Sequence, residues 1–390
     1  MKTAIPVEKA LSSLLAYCRQ ENWSGYDPYD GLNSKLFQAT PLKYSKLARL
    51  VMIQGFKRLP LNLRPLFLIE KTQNPKALAL FLSTLIMLKR GGYEIEGQAL
   101  AFFIERIRKL RAKDCSYWAW GYSFPWQTRT VLVPRFYPNL VCTVFVADAL
   151  MDAYDYLEES SLLEMAISAA RYIVDVLYWC RGDEASFSYP LPNLKENVVH
   201  NANFLASSFL SRIFVATGDK SLLEPALKAA RFSAARQESN GAWYYGERGT
   251  QRWVDNFHTG YNLCALKRLG RYLDTEEFLP VIKKGFRFYK DNFFEDQSVA
   301  KYFHNKKYPI DVHAIAQSIL TLIDFQEFED NKRLIENVYS WAVCNMRSPK
   351  GYFYYQLTPF YTNRISYMRW SQAWMLQALS RLWLFEQGKC

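Results

Sequence analysis

The chain has 390 residues, of which 50% are apolar and 16% aromatic, so it can bury a large core and is not an intrinsically disordered polypeptide. Its formal net charge of +12 suits an anionic glycan, a lipid-linked precursor or an acidic membrane surface. Lys and Arg are spread along the predicted helices and no nucleic-acid-binding motif occurs, so we expect no nucleic-acid partner.

The N-terminal region contains two amphipathic stretches. Charged residues interrupt the first one where a signal peptide needs an unbroken apolar run, so we interpret it as a helix. We expect residues 1–40 to form an N-terminal appendage and residues 41–57 to supply the last outer helix of a ring. The whole chain, 1–390, is interpreted as one domain. Its longest apolar run, 77–88, is shorter than the ~20 residues that cross a bilayer, so no transmembrane segment is predicted.

A repeat organises the rest of the chain. Five segments share one pattern and end in leucines 54 to 60 residues apart. These leucines are Leu150, Leu210, Leu266, Leu320 and Leu379. More amphipathic stretches lie between them, near 161–180, 221–237, 275–293 and 330–346, and an earlier pair is predicted at 75–89 and 98–112. Six inner and six outer helices predict an all-α fold, an (α/α)₆ toroid.

Short aromatic segments with turn residues precede the inner helices. Their side chains alternate with period two, which predicts β-hairpins. The segments are 117–126, 185–192, 241–253, 298–309 and 351–367. In a closed ring this order places every hairpin and every inner-helix N-terminus at one end. We expect the functional site there, because loops on a rigid frame carry function and helix N-termini favour anionic groups.

A polar stripe recurs seven residues before each of these leucines, at Thr143, Asn203, Thr259, His313 and Gln372. Unpaired buried polar groups cost about 1–3 kcal/mol each, so we interpret the stripe as the wall of a solvated, ligand-binding funnel. The alternative is that these side chains cap helices and brace the hairpins. The positions one and five before the leucines are mostly apolar and are assigned to the core.

Titratable side chains gather at the predicted helix starts and in one hairpin. Three histidines open successive inner helices, and histidine exchanges protons near neutral pH. By the leucine count, however, His258 points toward the core. The aspartates at helix starts have an alternative role as N-caps, and the hairpin glutamate as a turn residue. The predicted catalytic residues are His200, Tyr245, Glu247, Asp255, His258 and His313.

A second set of residues is predicted to bind substrate. Aromatic rings stack on sugars, and arginines pair with carboxylates or phosphates. The set comprises Trp126, Arg129, Arg135, Asn139, Asn203, Asn256, Asp311, Gln317, Tyr354, Arg369 and Gln372. No short spacing of metal ligands occurs, and we expect neither a metal nor a cofactor. Seven scattered cysteines fit a reducing cytoplasm.

Three segments resemble the VpsJ-like polysaccharide-biosynthesis proteins, relatives of the (α/α)₆ sugar epimerases, lyases and hydrolases. The segments are WAWGYSFPWQTR (118–129), PRFYPNLVCTVFVADAL (134–150) and VDNFHTGYNLCAL (254–266). The resemblance covers residues 115–385 and implies a role in making or modifying an extracellular polysaccharide.

The same resemblance implies candidate catalytic groups. His258 and His313 match by location the histidine pair of the sugar 2-epimerases of this fold. Tyr245, Tyr354 and Glu247 are the nearest equivalents of the tyrosines and glutamate of the uronyl 5-epimerases.

The leading hypothesis is a cytoplasmic enzyme that abstracts a proton next to a carbonyl or carboxylate of a uronate or amino sugar, an epimerase or a lyase. An inverting glycoside hydrolase is the first alternative, with Asp255 and Asp311 as carboxyls about 6.5–9.5 Å apart. A non-catalytic glycan-binding or scaffold subunit of a polysaccharide assembly system is the second. The basic charge is also compatible with peripheral association with a membrane.

Overall fold

Three helices precede the repeats in the computed structural model, which describes residues 4–195 and 197–389. They are α1 (Val7–Gln20), α2 (Lys35–Gln38) and α3 (Lys46–Arg58).

Eleven further helices follow in the described part of the chain, and they form a double ring. In chain order they are α4 (Pro75–Arg90), α5 (Ala99–Lys109), α6 (Leu140–Leu157), α7 (Ser160–Tyr172), α8 (His200–Thr217), α9 (Leu223–Ala234), α10 (Asn256–Leu273), α11 (Leu279–Asn292), α12 (Val312–Asp324), α13 (Lys332–Asn345) and α14 (Ala373–Glu386). Each even-numbered helix from α4 contacts the next one, and α14 contacts α4, so the inner ring closes. Each odd-numbered helix from α5 to α13 packs outside the inner helix before it. The predicted (α/α)₆ toroid is confirmed.

The sixth outer helix is α1, so Val7–Gln20 belongs to the ring and not to the N-terminal appendage predicted at 1–40. Helix α1 packs against α14 and buries an apolar stripe that includes Leu11 and Leu14. Helix α3, which we expected to close the ring, instead lies over the end of the ring and buries only Ile53 and Phe56. The ring takes α1 because its wider apolar face buries more surface against the last inner helix.

Short antiparallel strands connect the helices. Strands β1 (Trp126–Gln127) and β2 (Leu132–Val133) pair, as do β3 (Tyr178–Arg181) with β4 (Glu184–Phe187) and β5 (Phe294–Glu295) with β6 (Val299–Ala300). Strands β7 (Ile310–Asp311), β8 (Gln356–Leu357) and β9 (Thr362–Asn363) form a three-stranded sheet. The segment 241–253, predicted as a hairpin, contains a 3₁₀ turn at Gly249–Gln251 and no strand.

One outer helix ends earlier than predicted. We expected it to run through 161–180, but α7 stops at Tyr172, a π-helical turn covers Ile173–Leu177, and β3 begins at Tyr178. Residues 173–179 are mostly β-branched or aromatic, and such residues favour strands over helices.

The axis of the inner ring is filled by aromatic side chains. Phe145, Tyr261 and Trp374 lie five residues before their anchoring leucines, and their ring centres are 5.3 to 6.0 Å apart. Their mutual contacts close off the centre of the inner ring. No helix among residues 4–195 and 197–389 is long and apolar enough to cross a membrane.

Candidate active site

A cavity of about 350 Å³ lies at the end of the ring that carries the inner-helix N-termini. Twelve of its twenty lining residues are aromatic: Tyr29, Tyr122, Phe124, Trp126, Tyr189, Tyr245, Trp253, Phe257, Tyr261, Tyr302, Phe303 and Trp370. Aromatic faces pack well against the C–H faces of sugar rings. Of the residues predicted from sequence, this cavity brings together Trp126, Tyr245, Asp255, His258, His313 and Arg369.

The second residue of each of the first five inner helices lines the cavity. These residues are Lys76, Val141, Asn201, Phe257 and His313. Counting from the helix starts therefore identifies the cavity wall, whereas counting back from the leucines does not. The leucine count drifts because the leucine lies ten residues after the first residue of α10 but only eight after the first residue of α12.

The polar stripe mostly braces the connecting segments, which corrects the predicted funnel wall. The side-chain oxygen of Asn203 accepts a hydrogen bond from the backbone N–H of Phe187 at 3.0 Å. The side-chain oxygen of Gln372 accepts one from the N–H of Phe353 at 2.9 Å. Extended segments bring unpaired backbone groups into the ring, and inner-helix amides satisfy them. His313 is the stripe residue that lines the cavity.

We expect Asn203→Ala to lower the free energy of unfolding by about 1–3 kcal/mol, because it leaves the buried N–H of Phe187 without a partner. Urea denaturation measures the loss, and Gln372→Ala should give a loss in the same range. A loss below about 0.5 kcal/mol for both variants would contradict this bracing role, since surface changes have effects of that size.

Three more predicted binding residues are buried between helices instead of lining the cavity. Asn139 caps the start of α6. Asn256 accepts a hydrogen bond from the hydroxyl of Tyr289 at 2.8 Å. Gln317 donates to the hydroxyl of Thr321 at 3.0 Å. Each of them makes a hydrogen bond within the fold and none lines the cavity, so we correct their assignment as substrate-binding residues.

Three others lie on the outside of the connecting segments. Arg129 is exposed in the turn between β1 and β2. Arg135 is exposed in a separate groove, 4.9 Å from the ring of Phe136. The ring centre of Tyr354 lies 5.5 Å from the guanidinium carbon of Arg364. None of these three side chains lines the cavity.

His200 and Glu247 form a structural pair away from the cavity. The Nε2 of His200 lies 2.8 Å from a carboxylate oxygen of Glu247, and its Nδ1 lies 3.1 Å from the hydroxyl of Ser233. The hydrogen bond from His200 lowers the pKa of Glu247. Both imidazole nitrogens are engaged, so His200 fastens the segment 241–253 to the ring and we correct the predicted catalytic role of both residues.

His258 lines the cavity, contrary to the leucine count, and is oriented by Asp255. Oδ1 of Asp255 caps α10 by accepting from the backbone N–H of His258 at 2.9 Å, and Oδ2 lies 2.7 Å from its Nδ1. Trp253 donates to the same Oδ2 at 2.9 Å. Because a carboxylate only accepts, we assign the proton to Nδ1, which leaves Nε2 as a base. No hydrogen bond joins Nε2 to the described residues.

His313 is held in a stack of aromatic rings. Its ring centre is 4.6 Å from that of Phe257 and 4.7 Å from that of Trp374. Its Nε2 lies 2.5 Å from the hydroxyl of Tyr261, while its buried Nδ1 has no hydrogen-bond partner in the described structure. Burial, followed by the nearby cations, holds the pKa of His313 well below 6.5, so the ring is neutral. Within the described residues, no three His, Cys, Asp or Glu side chains are placed to hold a metal ion.

Three basic residues line the cavity. Lys76 is buried at the base of the cavity with its Nζ 3.9 Å from the ring centre of Phe145, and no carboxylate in the described structure pairs with it. Burial, and then Arg369, hold the pKa of Lys76 well below 10.5. Arg369 forms a buried two-point ion pair with Asp27, at 2.6 and 2.8 Å. Lys57 donates to a tyrosine hydroxyl at 2.9 Å.

Four residues in or beside the cavity were not predicted from the sequence: Lys76, Tyr261, Lys57 and Asp27. Lys76 is the second residue of the first inner helix, which lay outside the leucine alignment, and its position after the Asn74 cap could have revealed it. The other three carry no local signal, because their roles depend on partners distant in sequence.

Asp311 lies behind the cavity wall. Its carboxylate accepts hydrogen bonds from the indole N–H of Trp370 at 3.0 Å, from Gln356 at 2.6 Å and from the backbone N–H of His313 at 2.8 Å. Burial raises the pKa of Asp311 from 3.8 to about 6. Asp311 caps α12 and does not line the cavity, so its predicted contact with substrate is corrected.

This shift predicts a pH dependence of stability. Between about pH 4 and pH 6 the native state binds more protons at Asp311 than the unfolded state does, so the free energy of unfolding falls as the pH rises. A shift of about two pKa units corresponds to ~3 kcal/mol over this interval. We expect Asp311→Asn to remove this part of the decline, measured by urea denaturation from pH 4 to pH 7. Parallel curves for the two proteins would contradict the shift.

Comparison with known proteins shows the fold. No family model matches the chain and no curated protein does, so the resemblance to VpsJ-like proteins stays a prediction. Among solved structures, a cellobiose 2-epimerase from Bacillus thermoamylovorans aligns with a TM-score of 0.63 and 10% identity over 82% of this chain and 90% of that one. A family 76 glycoside hydrolase (mannosidase) from Bacteroides thetaiotaomicron aligns at 0.60 and 13% over 81% and 87%.

A polysaccharide lyase also aligns, at 0.54 and 10% over 80% of this chain and 90% of that one. These three proteins perform three different reactions on one architecture, so the likeness does not select among reactions. The chain has the (α/α)₆-barrel fold that these proteins share.

Proposed function

We propose that the protein is a carbohydrate-active enzyme of polysaccharide biosynthesis or modification that removes a proton beside a sugar carbonyl or carboxylate, as an epimerase does. The observation that carries this proposal is His258, a base held by Asp255 through Nδ1 at the wall of an aromatic cavity. A histidine held in this way by a carboxylate has a fixed tautomer and orientation, both of which a general base needs.

The basic residues of the cavity support an anionic substrate, a uronate in preference to an amino sugar. Lys57 and Arg369 are cationic, and Lys76 has no carboxylate partner in the described structure. A substrate carboxylate beside Lys76 would offset the cost of burying its charge and favour its protonated form. Binding and charge neutralisation would then occur together at the base of the cavity.

An epimerase must also return a proton to the sugar carbon, whereas a lyase expels a leaving group after the same first step. Tyr261 is the candidate for this second proton transfer, because it lines the cavity and its hydroxyl is bonded to His313. Burial holds the pKa of Tyr261 well above 10, so the hydroxyl carries its proton at neutral pH. His313 acts here by positioning Tyr261 and not as a direct base.

The geometry gives an inverting glycoside hydrolase less support. That reaction needs two carboxyls facing the substrate, and Asp255 is the only carboxylic acid among the described lining residues. Its oxygens already accept hydrogen bonds from His258 and Trp253. Asp311 is buried behind Trp370.

The test is incorporation of solvent deuterium into candidate sugars, followed by nuclear magnetic resonance. Uronate and amino-sugar glycans are incubated with the full chain in D₂O, and we expect exchange at one ring carbon of a uronate. Tyr261→Phe should retain exchange but lose inversion at that carbon. No exchange with any of these glycans would count against the proposal and in favour of a glycan-binding or scaffold role.

A further inference from the structure

One segment of the surface combines exposed apolar side chains with basic side chains. Residues 35–69 contain seven Lys or Arg and no Asp or Glu. In the described structure, nine of the fifteen exposed large apolar side chains come from this segment: Leu36, Leu42, Tyr44, Leu47, Val51, Leu59, Leu61, Leu66 and Leu68. Exposed apolar residues in such density mark interaction surfaces.

Helix α3 exposes apolar side chains on the face that points away from the protein. Ile53 and Phe56 are buried and hold α3 on the ring. On the opposite face, Leu47 and Val51 are exposed one helical turn apart, where a surface helix usually carries polar residues. The 3₁₀ turn at Pro41–Tyr44 that precedes α3 buries none of its side chains.

The exposed surface continues past the end of α3. Leu59 and Leu61 follow it, and the turn between β8 and β9 lies beside them, where Phe360 is 92% exposed. Tyr361 fixes this turn by donating to the backbone carbonyl of Arg58 at 2.9 Å. Two parts of the chain about 300 residues apart therefore contribute apolar side chains to the same region.

The basic side chains of this surface indicate that its partner is anionic. Lys43, Lys46 and Arg58 have no carboxylate partner among the described residues, so their charges are available to an anionic surface. Leucine and aromatic side chains flanked by Lys and Arg are typical of segments that lie in the interface of an anionic bilayer. Two copies of this segment would repel each other, which disfavours its use as a contact between identical chains.

We propose that residues 36–68 and Phe360 dock the protein on an anionic lipid bilayer. Lys57 lines the cavity and its neighbour Arg58 is exposed on the docking surface. The cavity therefore lies close to the docking surface. This proposal stands on the exposed residues alone and does not depend on the reaction performed in the cavity.

Flotation of the full chain with vesicles tests the proposal. We expect binding to vesicles of phosphatidylcholine with phosphatidylglycerol, little binding to phosphatidylcholine alone, and weaker binding as NaCl is raised. Val51→Ser should lower the partition coefficient about fivefold or more, and Leu47→Ser with Val51→Ser more than tenfold. The matched control is Val215→Ser on α8, since Val215 is 57% and Val51 62% exposed.

A second pair of variants tests how much the basic side chains contribute to vesicle binding. Lys46→Gln with Arg58→Gln should weaken binding by about thirtyfold at low salt, at about fivefold per charge. Lys283→Gln with Lys284→Gln, an equal charge change on exposed residues of α11, should leave it nearly unchanged. Thermal unfolding checks that each variant folds.

Three outcomes would overturn the proposal. The first is an absence of binding to anionic vesicles at low salt. The second is an equal loss in the α3 variants and their controls. The third is a dimer in solution that Leu47→Ser with Val51→Ser converts to monomer, because the surface would then be a contact between two copies.

Discussion

Replacing His258 by asparagine is expected to lower the rate of deuterium exchange at the sugar carbon by about 10²- to 10⁴-fold, the usual contribution of a general base. Asparagine keeps a polar group that Oδ2 of Asp255 can bond, but it cannot take a proton. Substrate affinity should change little, because the aromatic walls and cationic residues stay in place. Exchange rates at saturating sugar measure the effect.

His200→Asn is the matched control for this experiment. His200 lies in the first turn of α8 as His258 lies in the first turn of α10, but its two nitrogens bond to Ser233 and Glu247 outside the cavity. The exchange rate per folded molecule should therefore stay within a few-fold of the original. Equal losses in the two variants would mean that His258 acts through the fold and not on the substrate.

Replacing Asp27 by asparagine is expected to cost about 3–5 kcal/mol of unfolding free energy, because it leaves the buried guanidinium of Arg369 without its counter-charge. Both side chains are almost fully buried and meet through two hydrogen bonds. The guanidinium also lies 5.0 Å from the ring centre of Tyr122, so the cavity wall should loosen as well. Urea denaturation with tryptophan fluorescence measures the loss.

An exposed pair of the same geometry supplies the control. Arg231 and Glu277 also meet through two hydrogen bonds, at 2.7 and 2.9 Å, but both side chains are exposed. Glu277→Gln should cost less than about 1 kcal/mol. Similar losses in Asp27→Asn and Glu277→Gln would show that burial does not control the strength of the first pair.

The ring could be predicted from the sequence because its signals are local and repeated. Five inner helices carry a leucine at a nearly constant interval, and the outer helices carry apolar stripes of their own. The choice of the sixth outer helix was wrong because α1 and α3 are both amphipathic. Only the packing of α1 against α14, which joins the two ends of the chain, distinguishes them.

The proximity of Asp255 and His258 could also be predicted from the sequence. An N-cap aspartate and a residue three positions later are neighbours in any helix. The side of the helix that faces the cavity was misjudged, because the number of residues between the helix start and the leucine differs between α10 and α12.

By itself, the sequence determined that this protein is a ring of paired helices with a polar, aromatic end, and it identified Asp255 and His258 there. The tertiary structure decided which side chains line the cavity and which brace it. The pairs Tyr261–His313 and Asp27–Arg369 lie 52 and 342 positions apart, and Lys76 meets its aromatic neighbours only when the inner ring closes. Such contacts leave no pattern along the chain, because their partners belong to separate helices and loops.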